Sequence, residues 1–142
     1  DEERIILERM VNEQPIPLKK VLSPADIESM REVMYMVYME EKLKDYILHL
    51  INSTRHPERY PRLNDLKGLI EFGASPRATI YLARAAKANA YISGRAYVIP
   101  DDIKAIARDV LRHRIILSYE AEAEEITTED IINRILDEIE VP

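Results

Sequence analysis

The sequence contains no cysteine and no tryptophan, one phenylalanine, and three glycines, at Gly68, Gly73 and Gly94. Without cysteine there are no disulfides, no thiolate chemistry and no cysteine-ligated metal. So few glycines exclude the loops that cradle phosphates, since neither G-x-x-x-x-G-K-[ST] nor G-x-G-x-x-G can be assembled from them. A nucleotide meeting this chain would therefore be held mainly elsewhere. No apolar run approaches the ~20 residues of a membrane span, so no membrane partner is expected. The opening DEERIILERM is acidic where a secretory leader would be basic. With the missing cysteines, that agrees with a cytoplasmic location. His49, His56 and His113 do not share a helical metal-binding spacing, and no metal site is expected.

What is present is an ordinary globular composition. The 142 residues are 46% hydrophobic and 32% charged, which suggests one domain over 1–142. A net charge of -6 argues against nucleic acid as a partner, because no excess of cations is available to meet phosphates.

The apolar spacing is helical nearly throughout, so the expected class is all-α, a bundle of five or six helices with at most short extended segments. The opening segment reads as a short amphipathic helix ended by Pro15 and Pro17, followed by a connector, PIPLKKVL. Ser23, Pro24 and Asp26 form a helix start, and Ile27, Met30, Met34 and Val37 then share a face. The methionines and tyrosines of VMYMVYM read mostly as core, with part left over for a contact surface. Leu43, Tyr46, Ile47, Leu50 and Ile51 mark a helix stopping near Arg55. Residues 55–74 are broken by prolines and glycines, yet Leu63, Leu66, Leu69 and Ile70 hint at a helical turn. An alanine-rich helix follows from Ser75 to Ser93, capped by Gly94, and RAYVI reads as extended. A helix opened by Pro100 carries Ile103, Ile106, Ala107, Val110, Leu111 and Leu117, AEAEE reads as a solvated loop, and TTEDIINRILDEI is a last helix.

One residue is out of place. Ser75 can cap the alanine-rich helix, and Pro76 suits its first position because its missing N–H costs no hydrogen bond there. Arg77 then lies in the first turn, where the helix dipole makes a cation unfavourable by about 0.3–1 kcal/mol. An anion at that spot would reverse the sign, because free N–H groups, the dipole and a guanidinium fork would all favour it. The plainer alternative is that Arg77 reaches back to Glu71 or lies in solvent.

The segments GASPRA at 73–78 and LARAAKANAYISGRAYVIPDDIKAIARDVLRHRIIL at 82–117 carry a resemblance. Together with VLSPADIESM and YILHLINSTR before them, they resemble the C-terminal lid of the MoxR family of AAA+ ATPases. The resemblance covers nearly the whole chain. It implies an α/β ATPase core upstream that supplies the phosphate-binding loop, the magnesium-binding acidic motif, sensor 1 and the arginine finger. ATP and Mg2+ would be cofactors of that whole protein, held mainly by the core. Within G-A-S-P-R, Arg77 would be sensor 2, contacting the γ-phosphate, with Ser75, Pro76 and Ala78 as its supporting helix start. Arg55 and Arg95 are further candidates, each with a structural alternative: a helix end for Arg55, and a pair with Asp101 or Asp102 for Arg95. The family implies a ring, a hexamer of identical subunits, that remodels or activates client proteins, and adaptors with von Willebrand factor type A domains. The stretch between Arg55 and Gly73 is longer than the family's pattern. A competing reading is a stand-alone helical interaction module without a nucleotide, or a histone-like DNA-associated one.

Overall fold

The computed structural model describes residues 2–11 and 18–142. The predicted stop at Pro15 and Pro17 and the start of the following connector lie outside the described residues. The chain divides into two compact units, one reaching Met30 and one from Arg31 to Pro142.

The first unit holds α1 (Glu2–Val11), whose residues are all exposed, and the start of α2 (Pro24–Met36). The start of α2 is a reciprocal cap. The Ser23 N–H donates to Asp26 Oδ2 at 2.6 Å, and the Asp26 N–H donates to Ser23 Oγ at 3.2 Å. Hydrogen bonds from the Ser23 hydroxyl and N–H hold the Asp26 carboxyl below its ordinary value.

The larger unit runs α3 (Glu41–Arg55), two 3₁₀ segments (Pro57–Arg59 and Pro61–Gly68), β1 (Ile70–Phe72), α4 (Pro76–Ile92), α5 (Pro100–Leu111), β2 (Ile116–Leu117), α6 (Tyr119–Ala123) and α7 (Thr128–Glu138). The class is all-α, with one short antiparallel β1–β2 pair among the described residues. The core is built as the spacing predicts: Leu43, Tyr46, Ile47, Leu50 and Ile51 of α3 are buried in one cluster with Ile103, Ala107 and Leu111 of α5 and Ile131, Ile132, Ile135 and Leu136 of α7. On α4 the inward row is Ala78, Leu82, Ala86 and Ala90, one residue per turn and all fully buried. Three alanines in that row let α5 lie close against α4.

Three expectations change. VMYMVYM contributes little core: no residue of α2 is buried, and only Val37 and Met39, beyond its end, reach the interior. The helix stops at Met36 and the chain turns extended, so alternation carries Val37 and Met39 inward and leaves Tyr38 out. Tyr38 bridges to the RAYVI segment, its N–H donating to the Ala96 carbonyl and its carbonyl accepting from the Val98 N–H, both at 2.9 Å. Leu117 does not extend the α5 stripe, because α5 ends at Leu111 and Leu117 pairs with Ile70 across the sheet. The first three residues of AEAEE, read as a loop, belong to the short helix α6: Ser118 Oγ caps it by accepting from the Ala121 N–H, and Ala121 is buried. The local order expected in 55–74 takes the form of the two 3₁₀ segments and β1, anchored by buried Leu63 and Leu66.

Asp102 ties the start of α5 to the far end of α4. It is 1% exposed, and Arg95 pairs with it through two hydrogen bonds of 2.5 and 2.6 Å. Asn89 Nδ2 at 2.8 Å and the Ile99 N–H at 2.9 Å complete its shell. Burial alone would raise this carboxyl; the hydrogen bonds from Arg95, Ile99 and Asn89 and the Arg95 charge outweigh it and hold it below the ordinary carboxylate range. A depressed folded-state value contributes stability above the unfolded pKa of about 4, lost as pH falls through the folded value.

Arg95→Ala is therefore expected to cost about 3 kcal/mol at pH 7, because it strands a buried carboxylate. In urea titrations from pH 7 to pH 3 that difference should shrink as the stranded Asp102 of the variant, no longer held down by Arg95, becomes protonated. A pH-independent difference would mean that the pair does not govern it. A Cβ on Gly73 would lie 2.3 Å from the Thr54 carbonyl oxygen and 2.7 Å from the Arg55 backbone nitrogen. Gly73→Ala is expected to destabilise the chain by about 1–3 kcal/mol, read as a lowered melting temperature.

Candidate functional site

The site forms where α3 ends and α4 begins. Thr54, in the last turn of α3, donates its hydroxyl to the Ile51 carbonyl at 2.7 Å and accepts the Ala74 N–H at 2.9 Å. Gly73 lies directly on the Thr54–Arg55 backbone, an approach that a side chain would block. The chain then enters α4 through Ser75, whose extended backbone (φ -70, ψ 164) places it at the N-cap.

The predicted hydroxyl cap of Ser75 is absent. The Ala78 N–H, a usual donor to such a hydroxyl, goes to Ser75's own carbonyl at 2.8 Å. Pro76 occupies the first helical position and has no N–H to offer. The Arg77 N–H finds no partner among the described residues, so the positive end of α4 keeps a free donor.

Arg77 itself is exposed and makes no ion pair or hydrogen bond among the described residues; Glu71 does not meet it. Arg55, also exposed, closes α3, and its Nη2 donates to Asn52 Oδ1 at 2.6 Å. The contact of Gly73 with the Arg55 backbone settles where Arg55 stands: at the same junction as Arg77, despite the long segment between them. Arg95 is elsewhere. It follows Gly94 beyond the opposite end of α4, about 25 Å along a helix of this length, with its guanidinium committed to Asp102.

Arg114 reaches this junction unannounced. The antiparallel register sets Ile70 against Leu117 and Phe72 against Ile116. Followed outward, β1 leads to Ala74 and the start of α4, while the chain before β2 leads back to Arg114. The Arg114 guanidinium carbon lies 4.8 Å from the centre of the Tyr81 ring, one turn along α4 from Arg77. Its Nε is buried without a hydrogen-bond partner. The only signal in the sequence was its place in VLRHRIIL, which assigned it no role. Among the described residues no cluster of three His, Asp or Glu could hold a metal ion, and no helix is long and apolar enough to cross a membrane.

The chain matches known proteins along its length. The family model described as "AAA lid domain" matches residues 65–135, half of the chain, from the second 3₁₀ segment into α7. The chain belongs to that family, and the relatives it is similar to include MoxR proteins. It is 40% identical over 142 residues to "Chaperone MoxR1" of Mycobacterium tuberculosis, covering 100% of this chain and 37% of that protein. "Protein MoxR" of Methylorubrum extorquens is 28% identical over 116 residues, 78% of this chain and 33% of that protein. A crystal structure from Cytophaga hutchinsonii, described as a candidate ATPase, superposes with a TM-score of 0.89 at 40% identity, covering 99% of this chain and 43% of that one. The chain thus spans about two fifths or less of the length of these proteins.

A cation in the first turn of α4, with no partner, should cost stability rather than supply it. Arg77→Ala is expected to leave the melting temperature of this chain unchanged or raised, by up to about 1 kcal/mol of stability. A clear fall would show that the side chain holds the fold together.

Proposed function

We propose that residues 1–142 form the C-terminal lid of an AAA+ subunit whose ATPase core lies upstream, and that Arg77 is its sensor 2. In this reading the core holds ATP and Mg2+, and the lid supplies the arginine that contacts the γ-phosphate. The supporting observation is the exposed, unpartnered Arg77 beside a free N–H at the positive end of α4. Both groups suit a phosphate oxygen, and the guanidinium offers it two parallel N–H donors. Positive charge aimed at a transferring phosphoryl group stabilises the charge that develops there. Loss of the γ-phosphate removes Arg77's partner, so nucleotide state becomes lid position.

The whole protein would work in the cytoplasm as a homo-hexameric ring, with Arg77 reading the nucleotide of its own subunit or of a neighbour. Lid movement would remodel or activate client proteins, directly or through adaptors carrying von Willebrand factor type A domains. Arg55 would support Arg77 from the end of α3, where the helix dipole favours its charge. Ser75, Pro76 and Ala78 would set the geometry of the helix start. Arg95, bound to Asp102, would act on the lid's stability instead of the nucleotide.

Arg77→Ala in the full-length ATPase is expected to fold normally and lose most of its ATP turnover. Turnover equal to that of the parent enzyme would refute the sensor assignment.

A further inference from the structure

Two arginines on either side of His113, one exposed and one half-buried, behave differently. Arg112 is paired with both Asp109 and Glu129. Arg114 makes no ion pair and no side-chain hydrogen bond among the described residues, and its Nε is buried without a partner. The chain has 26 acidic residues against 20 basic ones, so carboxylates are not scarce. What holds Arg114 is the Tyr81 ring, at 4.8 Å.

That ring sets the arginine's position. Tyr81 follows Arg77 by four residues on α4, and side chains at that spacing are neighbours, with Cβ atoms about 5–6 Å apart. The β1–β2 register independently brings the chain at Arg114 back to the start of α4. Two guanidiniums are thus gathered at one helix end, and α4 itself contains no acidic residue. Like charges so placed repel until an anion joins them. A guanidinium held over a ring can still donate from its Nη groups, which bind phosphate oxygens.

We propose that Arg114 is a second phosphate-contacting arginine of the lid, seated on Tyr81 so that it and Arg77 engage the same nucleoside triphosphate. This rests on the sensor reading of Arg77 and extends it. With Arg77 placed on the γ-phosphate, an Arg114 that reaches the same terminal group loses its contact when that phosphate is gone, so the pair favours a triphosphate over a diphosphate. Tyr81 is the positioning residue.

The test is equilibrium binding of a non-hydrolysable ATP analogue and of ADP, each with Mg2+, to the full-length ATPase. Arg114→Gln is expected to weaken the ATP analogue about tenfold, equivalent to the loss of one charged contact, and ADP by no more than about twofold. Tyr81→Phe, which keeps the ring, should match the parent, and Tyr81→Leu should fall between parent and Arg114→Gln. If Arg114→Gln binds both nucleotides like the parent while Arg77→Gln loses the ATP analogue, Arg114 has no such role and the sensor reading stands. If neither substitution changes binding, the sensor reading falls with it. Should Arg114→Gln fail to fold, Arg114→Lys decides: a selective loss for the ATP analogue supports the proposal, and parental affinity overturns it.

Discussion

The hydrogen bond between the Thr54 hydroxyl and the Ala74 N–H is the constraint on which the candidate site depends. Thr54 is 1% exposed, and its hydroxyl is fixed from the other side by donation to the Ile51 carbonyl. A buried N–H without a partner is costly, so the start of α4 is pinned to the last turn of α3. Gly73 makes the approach possible by carrying no Cβ where the Thr54 carbonyl passes. From that pin the helix runs out along its buried row of Ala78, Leu82, Ala86 and Ala90, and the exposed face that follows carries Arg77, Tyr81 and Arg84.

The two ends of α4 are treated in opposite ways. At its far end the polar groups are satisfied inside the fold: Asp102 accepts from Arg95, Asn89 and the Ile99 N–H, and the cluster locks α4 to α5. At its near end Arg77, its N–H and Arg114 are left without polar partners among the described residues. A satisfied buried cluster stabilises and orients; unsatisfied cations at a positive helix end do neither without an anion. The stability lies at one end of the helix and the chemical opportunity at the other, with a rigid rod of about 25 Å between them. Under the proposed sensor role, a change in what Arg77 holds would be carried along that helix.

Much of the architecture was legible locally. The helix start at Ser23 and Asp26, the stripes of α3 and α7, and the limits of α4 at Ser75 and Ser93 follow from side chains within one or two turns of each other. The exposure of α2 was not legible, because helical spacing of apolar residues does not say what, if anything, stands opposite. Nor was α6, where a serine cap and one buried alanine order a segment whose composition reads as solvated.

For the site itself, the sequence alone determined that Arg77 would stand in the first turn of a helix opened by Ser75 and Pro76, since caps and dipoles act over a few residues. Tertiary structure alone decided which other arginines would join it. Arg55 arrives because Gly73 packs on the end of α3, and Arg114 because β2 pairs with β1 and its guanidinium settles on Tyr81. Arg95, of the same residue type, is drawn instead to a buried carboxylate at the far end of α4. These choices join residues separated by tens of positions in the chain. They come from close packing and strand register, which no local pattern of residues encodes.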